Sequence, residues 1–211
     1  MRRPRLLIAL ILLATLCAWV FTPGPNRFRS FDPVAVGGAE ADLWRDYYEH
    51  KHAALAQALT SDERNDFGLS PWVSLRSGIA AANAARLFQA SRSRAEAQAA
   101  LPLLTEHFRL LAAATHADID PAHAAQLELE WWQLRREHVG VEGYAPAIAE
   151  ATAYLYGVDP ARLGTYARLR AAAMNLRDAK GGAITEDDWR QIRALLIEAY
   201  RALRDEVSSR A

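Results

Sequence analysis

Residues 126–138, QLELEWWQLRREH, constrain the fold more than any other stretch of the chain. At about 100° per residue, Leu127, Trp131, Leu134 and His138 share one stripe of a helix, with Glu130 at its edge. Ala125, Leu129 and Trp132, beside Arg136, fall on the far side. A helix on the surface of a domain needs one apolar stripe, whereas a helix with two must be covered from both sides. This one is expected to be central to its domain, or to stand between the domain and a partner.

The sequence around it supports the same class. From Ala39 onward no run alternates every two residues between turn signals, so no strand is expected. Helix starts are marked by Ser70-Pro71, Asp120-Pro121 and Asp159-Pro160, and by the capping pattern Thr185-x-x-Asp188. Gly140, Gly143, Gly157 and Gly181-Gly182 mark ends. These signals predict helices over about 40–59, 71–90, 93–114, 121–138, 145–156, 160–179 and 185–207, with Pro102 delaying or kinking the third. The helices are unequal and lack a recurring 34-residue signature, which disfavours a regular solenoid.

The N-terminus is different. MRRPR precedes a run over 6–21 in which Thr15 is the only polar residue. As a helix it is about 24 Å long, slightly short of a hydrocarbon core of about 30 Å. Trp19 and Phe21 suit the far interface, and Pro23-Gly24-Pro25 ends the run. Large Leu16 two residues before Ala18 fits signal cleavage poorly, and Leu16 before Cys17 fits a lipoprotein signal poorly. An uncleaved signal anchor is the expectation. Arg2, Arg3 and Arg5 favour a cytoplasmic N-terminus, opposed in part by Arg27 and Arg29. The expected organisation is a signal anchor over 1–22, a linker over 23–38 and an extracytoplasmic helical domain over 39–211, periplasmic in a bacterium. The expected fold class is all-α: a single N-terminal transmembrane helix followed by an antiparallel bundle of about seven helices.

Lys+Arg and Asp+Glu balance at 25 each, which argues against a dedicated nucleic-acid binder. Cys17 is the only cysteine, so neither an intrachain disulfide nor a cysteine zinc site can form. There is no G-x-S-x-G turn. His107, His116 and His138 have no neighbours in sequence that mark them as ligands.

Three sets of polar or aromatic residues stand out. Glu49-x-x-His52 puts a carboxylate and an imidazole on one helix face, where both reach one metal; Glu130 and His123, a heptad apart, are further ligand candidates. No second E-x-x-H exists, so a complete di-iron site is not encoded in one copy. Arg170 and Arg177 fall in the stripe of Leu163, Tyr166, Ala173 and Met174, and Asn83 and Arg86 share a face with Trp72, Leu75 and Ile79. Charges on such faces need partners, and Glu128, Glu130 and Glu49 are the expected ones. An anion-binding pocket is the functional alternative for the two arginines. Trp132 with Arg136 is the candidate protein interface. The expected function is a membrane-tethered helical interaction or scaffold module, an accessory subunit whose protein partner lies at the membrane surface. Its rival is a helical-bundle site for a metal or small anion, with enzymatic chemistry as a further option.

Overall fold

A computed structural model describes residues 15, 18–49, 51, 68–137 and 140–208. Among these residues the regular structure is entirely helical: α1 (Pro33–Tyr48), α2 (Pro71–Ala90), α3 (Arg94–Ala97), α4 (Leu101–Thr115), α5 (Pro121–Arg136), α6 (Val141–Tyr156), α7 (Gly164–Lys180) and α8 (Glu186–Val207). Short 3-10 turns lead into α4, α7 and α8. Pro102 lies in the first turn of α4, directly after the turn Gln98–Ala100, as its missing N–H requires.

The starts follow local chemistry. Asp32, Ser70, Asp120 and Asp159 each accept a backbone N–H at the head of a helical segment and are each followed by proline. Thr185 and Asp188 form a reciprocal capping box on α8. Two boundaries differ from the sequence expectation. Gly140 (φ 75°) caps α6, which therefore begins at Val141, a turn earlier than the periodicity predicts. The first helix begins at Pro33, inside the expected linker, and its described part ends at Tyr48. Leu55 and Leu59, expected on its stripe, lie outside the described residues.

The order of packing is simple. α2 packs on α4, α4 on α5, α5 on α6, α6 on α7 and α7 on α8. Short connections favour antiparallel neighbours in such a chain. α1 breaks the order by packing on α8, at the other end of the chain. α5 is covered on both sides, as its two stripes demand. Ala125 and Leu129 join a cluster with Leu104, Phe108 and Ala84 from α4 and α2. Trp131 joins a larger one built from α6, α7 and α8, against which Leu127 and Leu134 pack.

The lead-in over 23–38 is part of this core. Phe28 stacks on Tyr156 with ring centroids 4.3 Å apart, and Phe31 meets Tyr200 edge-on at 6.0 Å. Both phenylalanines are buried. Gly37, which resembles a loop residue in the sequence, lets α1 and α8 touch backbone to backbone. A Cβ there would stand 2.7 Å from Cα of Ile197. Gly37→Ala is therefore expected to cost ~1–3 kcal/mol as overpacking, although alanine gains up to ~1 kcal/mol in helix propensity. Gly182→Ala meets open space and should stay within about 0.5 kcal/mol of the parent in urea denaturation.

Among the described residues no helix is long and apolar enough to cross a membrane. Of the apolar run over 6–21, only residue 15 and residues 18–21 are described, and the anchor expectation otherwise lies outside them.

Candidate functional site

Arg170, on the inner face of α7, is the centre of the polar interior. Its Nε and Nη2 donate to Glu40 Oε1 of α1 at 3.2 and 2.8 Å. The two side chains are only 16% and 12% exposed. The guanidinium also lies 5.2 Å from the ring centroid of Trp131 on α5. Tyr166 and Tyr200, from α7 and α8, pack 5.9 Å apart beside this pair. The partner of Arg170 is thus Glu40, not Glu130 or Glu128 as the sequence led us to expect. The signal was present: Glu40 shares a stripe with Val36, Gly37 and Trp44 once α1 is begun at Pro33.

Glu128 of α5 adds a second carboxyl to the same interior. Its Oε1 accepts from Trp132 Nε1 at 2.9 Å. Desolvation holds its carboxyl above the usual carboxylate range, against the pull of Arg170, and the charge on Glu40 pushes the same way as desolvation. One guanidinium faces two carboxyl groups, and Glu40 Oε2 is buried with no hydrogen-bond partner among the described residues. The group is one largely buried ion pair, Arg170–Glu40, with the Glu128 carboxyl and three aromatic rings around it, and it joins α1, α5, α7 and α8.

The remaining sequence candidates fall elsewhere, and most are paired. Glu49 follows α1 in an exposed position, held below the usual carboxylate range by Lys51 first and Arg45 second. His52 lies outside the described residues. Glu130 is exposed on α5 and receives Arg94 Nη1 at 2.9 Å, while Arg94 Nε and Nη2 engage Glu137 at 2.7 Å. His123 is exposed, its ring edge-on to Tyr154 at 4.7 Å. Arg177 lies 3.5 Å from the centroid of Tyr48, and among the described residues it finds this aromatic face rather than a carboxylate. Among the described residues no three His, Cys, Asp or Glu side chains are grouped to hold a metal ion.

Trp132 and Arg136 bind their own domain. The Trp132 ring is half-buried, touches both main clusters, and meets Phe88 of α2 at 5.3 Å. Arg136 donates to Ser91 Oγ at 2.8 Å and to the carbonyls of Ser91 and Phe88 at 3.1 and 3.4 Å, closing the C-terminal end of α2. α2 itself is turned the other way from the sequence expectation. It buries Ser74, Ser77, Gly78, Ala80 and Ala84, and leaves the Trp72, Ile79 and Arg86 face outside. Ser77 Oγ and His107 Nδ1 are 2.8 Å apart at the α2–α4 contact, where desolvation holds the imidazole below its ordinary pKa.

One cavity adjoins a sequence candidate. Arg94, Gln98, Gln126, Glu130 and Gln133 line a depression of about 260 Å³ between α3, α4 and α5. Gln133 was missed by sequence reasoning because a glutamine next to two tryptophans carries no charge signal. It is 2% exposed, and its Nε2 has no hydrogen-bond partner among the described residues. Its chemistry is that of a neutral donor for an oxygen acceptor.

Comparison with known proteins gives no match, whether with family models, curated proteins or solved structures.

Two outcomes follow from this geometry. Arg170→Met strands the Glu40 carboxylate and should cost ~3–5 kcal/mol, while Arg201→Met, from an exposed pair with Glu198, should cost under about 1 kcal/mol. Glu128 has the opposite sign. A carboxyl whose folded pKa is raised contributes stability below its unfolded pKa and loses it as pH rises through the folded value. Glu128→Gln should therefore match or exceed the parent in stability at pH 8, the difference shrinking toward pH 4. Urea titrations across that range decide it.

A third outcome concerns the paired tryptophans. Trp131→Ala and Trp132→Ala should each lower stability by ~3–5 kcal/mol, because each ring fills space within the domain. Parent-like melting of Trp132→Ala would show that the domain itself does not depend on that ring.

Proposed function

We propose that this chain is a membrane-tethered helical scaffold module, an accessory subunit held at the bilayer by residues 6–21 with its helical body on the non-cytoplasmic side. The observation that carries this reading is the absence of slack between the apolar run and the body. Gly24 N–H donates to Gly68 O at 2.9 Å, and Asn26 Nδ2 donates to Thr115 O at 2.9 Å. Phe28 and Phe31 are buried within a few residues of Phe21. Arg29 donates to the carbonyls of Tyr156 and Val207, tying the same segment to the ends of α6 and α8. Gly68 is where this route needs glycine: its φ is +79°, and a Cβ there would collide with Pro25 O. Trp19 and Phe21, at the end of the run, remain 54% and 61% exposed.

The pairing of charges supports a scaffold over the rival ligand site. Glu49, Glu130 and Arg170 are each engaged by a partner within the chain, which leaves the metal and anion readings without an open donor set on those residues. The test is direct. The full chain should float with lipid vesicles and stay in the pellet after an alkaline wash, with residues 6–21 present in the mature N-terminus. C-terminal reporters should be active only when exported. A mature chain beginning after Ala18, or full release by the wash, would overturn the tether.

A further inference from the structure

We infer that the outer face of α2, carrying Trp72, Arg76, Ile79 and Arg86, lies against the headgroup layer of an anionic bilayer. The inference rests on the tether proposed above and specifies what the body does once tethered.

The starting point is the partly apolar outer face of α2. A helix of a water-exposed domain turns its large apolar residues inward. α2 does so with Val73, Leu87 and Phe88 and seals its small residues against α4, yet Trp72 and Ile79 stay 44% and 47% exposed. At about 100° per residue, Arg76, Ile79, Asn83 and Arg86 all project within about 40° of Trp72. The face is a stripe, not a scatter.

Its position is the second observation. Phe21, which ends the apolar N-terminal run, has its ring 6.1 Å from that of Trp72. Six large apolar side chains are exposed among the described residues: Trp19, Phe21, Val34, Tyr47, Trp72 and Ile79. Four of the six belong to the run's end and this stripe, so the exposed apolar surface is concentrated where the tether meets the body. A membrane that receives residues 6–21 is brought to Trp72 by the same contact.

Charge selects the occupant. α2 contains no Asp or Glu. Arg86 has no carboxylate partner among the described residues, and Arg76 shares Glu106 with Arg109. The patch is therefore basic while the chain as a whole is neutral. Indole and isoleucine flanked by guanidinium groups, with no carboxylate on the helix, is the pattern of a helix lying in an anionic interface. Trp prefers the headgroup level, and arginine keeps its charge at the phosphates while its stem lies along apolar surface.

The experiment uses the full chain in nanodiscs of phosphatidylcholine, with or without phosphatidylglycerol, containing lipids brominated near the headgroup end of the acyl chain. Vesicle flotation is run in parallel. Bromine should quench a tryptophan component that Trp72→Phe removes, and quench it more strongly in phosphatidylglycerol discs. Arg76→Gln and Arg86→Gln should each lower the ratio of docked to undocked protein roughly five-fold in anionic discs, with little change in neutral ones. If the chain enters discs but Trp72→Phe leaves the quenched fraction unchanged, the face is not on the bilayer and the inference fails while the tether stands. Two chains per disc with Trp72 shielded from bromine would assign the face to a second copy and overturn it equally. Failure to float with vesicles would remove the tether, and the inference with it.

Discussion

The pairing of Arg170 with Glu40 brings one charge from α7 and one from α1 into the interior. Taking either out of water costs several kcal/mol, and the pair recovers this only when both groups are seated together. Among the described residues α1 is the long helix whose packing partner is remote in sequence, since it lies on α8 rather than on a neighbour. No short loop sets its register. Glu40 and Gly37 do: one must reach Arg170, and the other must face the backbone of Ile197. A shift of α1 by one residue turns it by about 100°, which would strand Glu40 and drive a side chain into α8.

The second constraint is α5, which has to serve two clusters at once. Ala124, Ala125 and Leu129 fill one side and Trp131 the other, while Trp132 and Leu155 touch both. Polar groups on the same helix follow this division. Glu128 is drawn inward and takes the Trp132 N–H, whereas Glu130, two residues on, faces Arg94 at the surface. Two carboxylates on one helix thus acquire different chemistry from orientation alone. The one held above its ordinary pKa is the one drawn toward the interior, where desolvation acts on it.

What was legible in the sequence was local. The Ser-Pro and Asp-Pro starts, the Thr185 capping box and the interruption at Pro102 are written within four residues of the boundary they set. Asp32-Pro33 carries the same signal, but the glycines that follow resemble a loop until the close approach of α8 explains them. The polar pairs were not legible, because Arg170 and Glu40 stand 130 residues apart and several carboxylates compete for the arginine. The orientation of α2 was not legible for a different reason. Hydrophobic periodicity assigns Trp72 and Ile79 to the core, whereas α4 here accepts the small residues, with Val73, Leu87 and Phe88 packed beside them. Serine, glycine and alanine let two helix axes come close, and these are the residues α2 turns to α4.

That choice leaves an apolar and basic stripe on α2, while many other surface arginines are paired. Arg45 and Arg193 join α1 and α8 through Glu186 and Asp42. Arg94 joins α3 to α5 through Glu130, and Arg135 joins α5 to α7 through Asp178. Exposed pairs of this kind are worth little individually, about 0–1 kcal/mol. Their weight lies in what they remove, because each one cancels a charge that would otherwise attract a ligand or a surface. Among the described residues, α2 leaves Arg86 without a carboxylate and makes Arg76 share Glu106 with Arg109. The same face exposes Trp72 and Ile79. Burial of apolar area and neutralisation of positive charge are both left undone on one stripe, next to the end of the apolar run. A single surface that is apolar within and anionic at its boundary satisfies the two together.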